Sequence, residues 1–497
     1  MKIKIVYVSL VLLSISICLV GCTKENDLED FEQESFNTKQ KLLKETSLLI
    51  GNVLTDKNIK EELNNIMKGV SKDGDIVSFA YLFGKEASLR KNEITALKNK
   101  SINLDVFRNA LAKELNENRN DYEELSKYVN GNSDSNNISK TSESTINDLE
   151  DLLVTEQLQI FYPYDPEYAD DDMTVTDFYV SFDPLDGSQT NMGYKFDEGS
   201  SDGEIVNDLD NNFLDENPVY LVVPIDPCDI TGQPCLYTDL QPSEKDPLTD
   251  EILPYDDDQL FADGNVGGGN TGGGNTGGGN TGGGTNDPPT TELLTTNTDH
   301  EDIPESDIIS SYIPRIQING TSWMGFAGTH QKLRFFRATG DGDVTQNSNG
   351  TITAGGSDYL IKYYRCKRKF VRKKYWVDIN TEFDPDWNMS ENTQNMAIFS
   401  VHHLSASASI EVNAKSGFKL EGGEIKPSAE ASGTLKITIS TGSAKFRANA
   451  EMSRRFILAT IVGNGTSGQT FSDNGVDYNV KSIGIVKYYM KHFYTDL

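Results

Sequence analysis

Basic residues are scarce in this 497-residue chain: 45 Lys plus Arg stand against 76 Asp plus Glu, giving a formal charge of −31 and a pI near 4.5. That balance excludes a whole-chain nucleic-acid binder, because neutralising phosphates needs a surplus of cations on the contact face. Cysteine is also sparse, with five in all, so the chain is not a disulfide-dense scaffold. The five His, at 300, 330, 402, 403 and 492, fall in no HExxH or comparable metal frame. Beyond Val20 no stretch reaches the roughly 18 consecutive apolar residues of a membrane helix. With 36% hydrophobic content, the length still suffices for two or three domains with cores of their own.

At the N-terminus, Met1-Lys2-Ile3-Lys4 precedes an apolar run from Ile5 to Val20 and then Gly21-Cys22. A basic tip before a short apolar stretch is an export signal. Leu19-Val20-Gly21-Cys22 resembles the lipobox of bacterial lipoproteins. The resemblance implies cleavage before Cys22, a diacylglycerol on its thiol and a mature chain of 476 residues, the 497 less 21 removed. The polar, acidic stretch Thr23 to Asp30 is similar to the tether that follows the acylated Cys in surface lipoproteins of Bacteroidota. This implies an outer-membrane, cell-surface address held by lipid alone, since Thr23 stands where an inner-membrane retention signal carries Asp. An ordinary signal peptide or signal anchor is the alternative.

Charge divides the rest of the chain. Residues 23–145 hold 18 basic and 22 acidic residues, 146–311 hold 2 and 38, and 312–497 hold 23 and 16, for net charges of −4, −36 and +7. Apolar residues at helical spacing (Leu42, Leu43, Leu49, Ile50, Val53; Ile59, Leu63, Ile66, Met67, Val70; Phe107, Leu111, Leu115) predict a helical bundle over 36–145, after a tether over 22–35. Ile146 to Leu158 predicts one more helix. Short strands at Ile160–Tyr162, Phe178–Phe182 and Val219–Val223 then predict a small sheet within an acidic segment, 146–262, that includes a Cys228–Cys235 disulfide loop. The repeat GGGNTGGGNTGGGNTGGGT at 267–285 builds no core, so 263–311 is expected to be a disordered linker between two bodies. About nine short strands, among them Phe370–Ile379 and Phe456–Val462, predict an antiparallel β-sandwich over 312–497 with Cys366 as a buried thiol. The fold class is therefore multidomain α+β. The order of these parts, with Phe161-Tyr162-Pro163-Tyr164 and Trp323 to Gly328, is similar to secreted bacterial proteins of unknown function.

Five constellations bear on chemistry. Phe182-Asp183-Pro184-Leu185-Asp186-Gly187-Ser188 resembles the DPLDGS motif of fructose bisphosphatase and inositol monophosphatase; the resemblance implies Asp183, Asp186 and the Leu185 carbonyl as Mg²⁺ ligands, with Gly187 and Ser188 on phosphate. An acidic turn between strands accounts for the same residues. The Asp170–Asp172, Asp208/Asp210 and Asp256–Asp258 clusters offer oxygen ligands for Ca²⁺, against the alternative of a solvated acidic surface. Gly199 to Gly203 fits the serine-hydrolase elbow pattern but reads as a polar loop. Seven cations within ten residues, Arg365, Lys367, Arg368, Lys369, Arg372, Lys373 and Lys374, predict a basic strand for an anionic glycan or lipid, with no nucleic acid expected. Finally, Ser405 to Lys415 alternates small polar and apolar residues over 11 positions and Ala431 to Ile439 does the same, which resembles the membrane hairpins of β-pore proteins. Half-exposed sandwich strands share that alternation. Converging acid, base and nucleophile are not legible, so the expectation is a surface-anchored binding or adhesion module rather than an enzyme, with Mg²⁺-dependent phosphatase and membrane-inserting hairpin as alternatives.

Overall fold

The computed structural model describes most of residues 35–496; the main stretches outside the description are 1–34, 97–104, 131–141, 165–176, 253–290, 402–409, 428–434, 454–460 and 462–467, with shorter breaks elsewhere. The chain is mixed α and β, with helices towards the N-terminus and several sheets in the rest. It divides into two units, Met1–Gln233 and Pro234–Leu497.

In the first unit, helices α1 (35–54), α2 (Lys57–Val70), α3 (Phe79–Leu82), α4 (Asp105–Glu117), α5 (Glu123–Asn130) and α6 (Ser142–Thr155) accompany a six-stranded sheet. The sheet holds β1 (Ile76–Ser78), β2 (Leu158–Phe161), β3 (Phe178–Phe182), β4 (Thr190–Phe196), β5 (Glu204–Asp210) and β6 (Val219–Pro224) in the order β1-β2-β6-β3-β4-β5. Only β3 and β6 pair in parallel; the other neighbours are antiparallel. The short strands of this segment are expected to form a small sheet packed on the helices, and the sheet does pack on them. One apolar cluster runs from Leu42 through Leu63, Phe107 and Leu153 to Val180 and Val222, so helices and sheet share a core. The apolar stripe of α2 and the fully buried strand β6 are complementary halves of that core. Buried Glu93 ties the loop after α3 to β1, accepting from the Ser78 N–H at 2.7 Å and the Arg90 N–H at 2.9 Å.

The second unit begins earlier than its sequence suggests. Strand β7 (Thr238–Asp239) pairs in parallel with β13 (Tyr359–Lys367), Leu240 is buried in the core of this unit, and Ser243 Oγ donates to Asp378 at 2.8 Å. Strand β8 (Thr291–Leu293) pairs with β25 (Lys491–Thr495), and β9 starts at Ile308. Described residues on both sides of the glycine repeat belong to this one unit, Pro234–Leu497. The repeat itself lies outside the described residues.

Two large sheets enclose the core of the second unit. A five-stranded sheet has the order β20 (Ala444–Ser453), β15 (Thr393–Val401), β10 (His330–Thr339), β13, β7. A six-stranded sheet is built around β9 (Ile308–Ile318), flanked by β14 (Trp376–Asp384), β24 (Val486–Tyr488) and β25, with β23 (Lys481–Ile483) and β8 outside. Leu333, Phe335, Met396 and Ile398 of the first sheet and Ile313, Ile316, Val377 and Tyr488 of the second share one cluster. Period 2 explains the choice of residues, because successive strand positions face opposite sides. The strand expected at Phe370–Ile379 is corrected to a short helix α8 (Arg368–Arg372), a left-handed Lys374 (φ 52°), and only then β14. The expected strand at Phe456–Val462 falls mostly outside the described residues.

Candidate functional site

The phosphatase-like segment lies between β3 and β4, an antiparallel pair. Asp183 Oδ1 accepts from the Leu185 N–H at 2.8 Å, and Asp186 Oδ1 from the Ser188 N–H at 2.8 Å, while Leu185 and Gly187 take φ of 65° and 74°. Asn191 Nδ2 and Gln40 Nε2 donate to the Phe182 and Pro184 carbonyls at 2.7 and 3.1 Å. A strand follows Ser188 where a phosphate cradle would have a helix N-terminus. Asp183 is buried and Asp186 exposed. Among the described residues no group of three or more His, Cys, Asp or Glu is assembled to hold a metal ion. Asp210 caps helix α7 (Asn211–Glu216), accepting from the Phe213 N–H at 2.8 Å. Asp170–Asp172, Asp256–Asp258, His402, His403 and Cys22 lie outside the described residues.

Cys228 and Cys235 are disulfide-bonded. Cys366 is free, and burial pushes its thiol up to about 12.

The seven cations do not form one strand. Arg365 is buried, with its guanidinium on the Asp239 carboxylate, and Arg368 is buried with Nη1 3.7 Å from Met324 Sδ. Lys367 and Lys374 are exposed; Lys369, Arg372 and Lys373 are half-buried. The register adds a point that charge counting missed: Arg365 pairs with Lys332, and Lys332 with Val401 on its other side. Lys332 and Arg334 lie over the Tyr237 ring, whose hydroxyl oxygen accepts from Arg334 Nε at 3.1 Å. The basic segment thus sits at the end of the five-stranded sheet from which the chain leaves after Val401 and returns at Ala444.

That excursion holds the alternating segments. It contains β16 (Ile410–Ala414), β17 (Phe418–Glu421), β18 (Glu424–Pro427) and β19 (Leu435–Ile439). Strand β16 pairs with β19, and β17 with β18 across the two-residue connection Gly422-Gly423, a dipeptide suited to a tight hairpin. A second excursion, between β10 and β13, contributes β11 (Thr345–Gln346) and β12 (Thr351–Ala354); β12 pairs with the free side of β19, giving a four-stranded sheet β11-β12-β19-β16. The register sorts residue types by face. Ile410, Val412 and Ala414 stand opposite Ile439, Ile437 and Leu435, with Ile352 and Ala354 next in line; Glu411 and Asn413 stand opposite Thr438 and Lys436, with Thr351 and Thr353 next.

The same parity extends through the whole excursion in sequence. Even positions from Leu404 to Leu420 and odd positions from Ile425 to Ile439 are apolar or small, Ser416 being the one hydroxyl. The six charged residues in those two spans, Glu411, Lys415, Lys419, Lys426, Glu430 and Lys436, all fall on the other parity. This hairpin is the feature where chemistry and placement converge. The chain matches no described protein family, no curated protein and no solved structure.

Proposed function

We propose that this is an exported, Cys22-acylated protein of the outer cell surface whose C-terminal unit, a β-sandwich in this reading, acts on a lipid bilayer through the hairpin between β15 and β20. The observation that carries the reading is the separation of apolar and charged residues onto opposite faces of a two-stranded element. Each strand of that element is long enough: a tilted membrane strand takes about 9 to 11 residues, and the alternating spans run over 17 and 15 (404–420 and 425–439). A bilayer is the occupant that suits the apolar face, because charges are excluded from it over the full length while the other face stays wettable. A spanning hairpin cannot leave its edges unpaired in hydrocarbon, so copies of the chain supply the neighbouring strands. Lys367, Lys369, Lys373 and Lys374, at the hairpin root, contact anionic headgroups with about 1 kcal/mol per cation close to the surface. The acidic first unit then acts as the spacer between the lipid anchor and this machinery, and catalysis is not needed.

Dye release from phosphatidylethanolamine/phosphatidylglycerol vesicles by the mature full chain tests the proposal. Ile437→Arg puts a charge on the apolar face at about 2 to 4 kcal/mol near the midplane, so release should fall at least about thirtyfold. Thr438→Arg, one position along on the polar face, should stay within about threefold of the native chain. Equal release by both variants, or none by the native chain, overturns the reading.

A further inference from the structure

Asp473, Tyr489 and Lys491 form a buried cluster that the membrane reading leaves unused. Strand β25 opens at Lys491, held opposite Tyr312 of β9. Asp473 is fixed by a tight hairpin of β21 (Thr470–Asp473) and β22 (Val476–Asn479), where it pairs with Val476 across Asn474 and Gly475, whose left-handed φ of 52° and 77° close the turn. Lys491 Nζ lies 3.0 Å from Asp473 Oδ2, with both side chains fully buried. Tyr489, two residues before Lys491, donates its hydroxyl to the same oxygen at 2.6 Å. Phe471 stacks on Tyr489 at 4.7 Å, the Tyr478 ring lies 5.3 Å from that of Tyr489, and Lys491 Nζ stands 5.8 Å from the centre of the Tyr478 ring. An amine, a carboxyl and a hydroxyl donor therefore meet inside an aromatic cluster.

We propose that Lys491 and Asp473 condense into an amide, an intramolecular cross-link between β25 and the β21–β22 hairpin, and that the ion pair in the structure is its reactant. The step balances without a co-reactant. One proton passes from the ammonium to Oδ2 across the 3.0 Å contact. The Nζ lone pair then adds to Cγ, one bond beyond Oδ2; a second proton moves from Nζ to Oδ2, the Cγ–Oδ2 bond breaks and one water leaves. A neutral amide with a single N–H remains, and nothing is oxidised or reduced. Tyr489 keeps its hydrogen bond on the departing oxygen, the placement of a donor that stabilises charge as it develops. Burial first, and the Asp473 charge second, hold that hydroxyl well above its ordinary range, so the donor keeps its proton.

Placement and surroundings both favour the bond. Groups held in contact by a folded frame react as though present at about 10⁵ to 10⁸ M, which offsets the poor reactivity of a free amine towards a free carboxyl in water. Condensation also removes two charges from a site where burying them is costly. The aromatic rings that keep water out then hinder the return hydrolysis. The product closes residues 473–491 into a ring, so the C-terminal strand stays tethered to the unit even when its pairing with β8 and β9 opens. None of this depends on the hairpin entering a bilayer.

Tryptic digestion of the full chain, read by mass spectrometry, tests the bond. An uncondensed Lys491 is a cleavage site and yields the peptide 488–491. A condensed one resists trypsin, so 488–497 should appear joined to 456–481 at a mass one water below their sum. Lys491→Arg keeps the positive charge without the amine and should leave 456–481 unjoined. Tyr489→Phe keeps both reacting groups, and the joined peptide should accumulate after cell-free synthesis at least about tenfold more slowly than in the native chain. A native chain that unfolds cooperatively in urea yet yields free 488–491 overturns the proposal, as does a join at residues other than 473 and 491. Equal rates in the native chain and Tyr489→Phe overturn the part given to Tyr489.

Discussion

Lys491 and Asp473 meet at 3.0 Å with both side chains fully buried, and Tyr489 Oη donates to Asp473 Oδ2 at 2.6 Å. Burial first, and the Asp473 charge second, hold the Tyr489 hydroxyl well above its ordinary range, so it stays a donor at every working pH. Taking two charges out of water is offset only by their mutual attraction and by such hydrogen bonds. Asp473→Ala removes the carboxylate and should destabilise the second unit by about 3 to 5 kcal/mol, whereas replacing both charges, Asp473→Leu with Lys491→Met, should recover most of that. Trp376 packs against Phe471 and Tyr489 at 4.7 and 5.9 Å, so its emission during urea unfolding reports on this cluster. Nothing in the sequence pairs residues 473 and 491. The buried state of Cys366, by contrast, is legible from its place in an apolar, period-2 run.

Among elements, helices were the easiest to read and short strands the hardest. The spacing of Ile59, Leu63, Ile66, Met67 and Val70 predicts α2, and all five are buried. Three residues are too few to show a period, which is why β1 went unseen inside a helical stretch and why Phe370 and Val371 read as strand when they lie in α8. Helix α6 carries Leu149, Leu152 and Leu153 into the core that helices and sheet share. Leu153→Ala should destabilise the first unit by about 2 to 5 kcal/mol through lost burial and the cavity left behind. The loss should be visible in the helical circular dichroism signal on thermal unfolding. Were α6 part of a bundle separate from the sheet, the sheet residue Val222→Ala would leave that helical transition unmoved; a shared core predicts that it lowers it too.

At the scale of the molecule, the segments on either side of the glycine repeat are the informative ones, because both belong to the second unit. Leu240 is buried in the second unit, Asp239 holds Arg365, and the described strands β7 and β8 on either side of the repeat join sheets of that unit. Proteases should cut first within 253–290, where Gly, Asn, Thr and Asp offer little to bury. The two fragments should then co-elute on native size exclusion and separate in denaturant without a reductant, because 237–245 is docked by hydrogen bonds and side-chain burial rather than by the disulfide. Separation under native conditions would show that the docking is too weak to hold.

The sequence by itself determined the helices, the turn chemistry, the alternation of the hairpin and the division of charge, since each is carried by spacing or composition within one stretch of chain. It also makes the export and lipid-anchor reading, from a handful of adjacent residues. Only the tertiary structure decided which strands are neighbours, that two of seven clustered cations are buried, and that the segment before the glycine repeat belongs to the unit after it. The hairpin shows the division most plainly. Its two faces are written in alternate residues, but that Ile410 lies opposite Ile439 is invisible to any period, because a shift by an even number of residues leaves the alternation unchanged. Register is a non-local property, and only the folded chain brings the paired strands together.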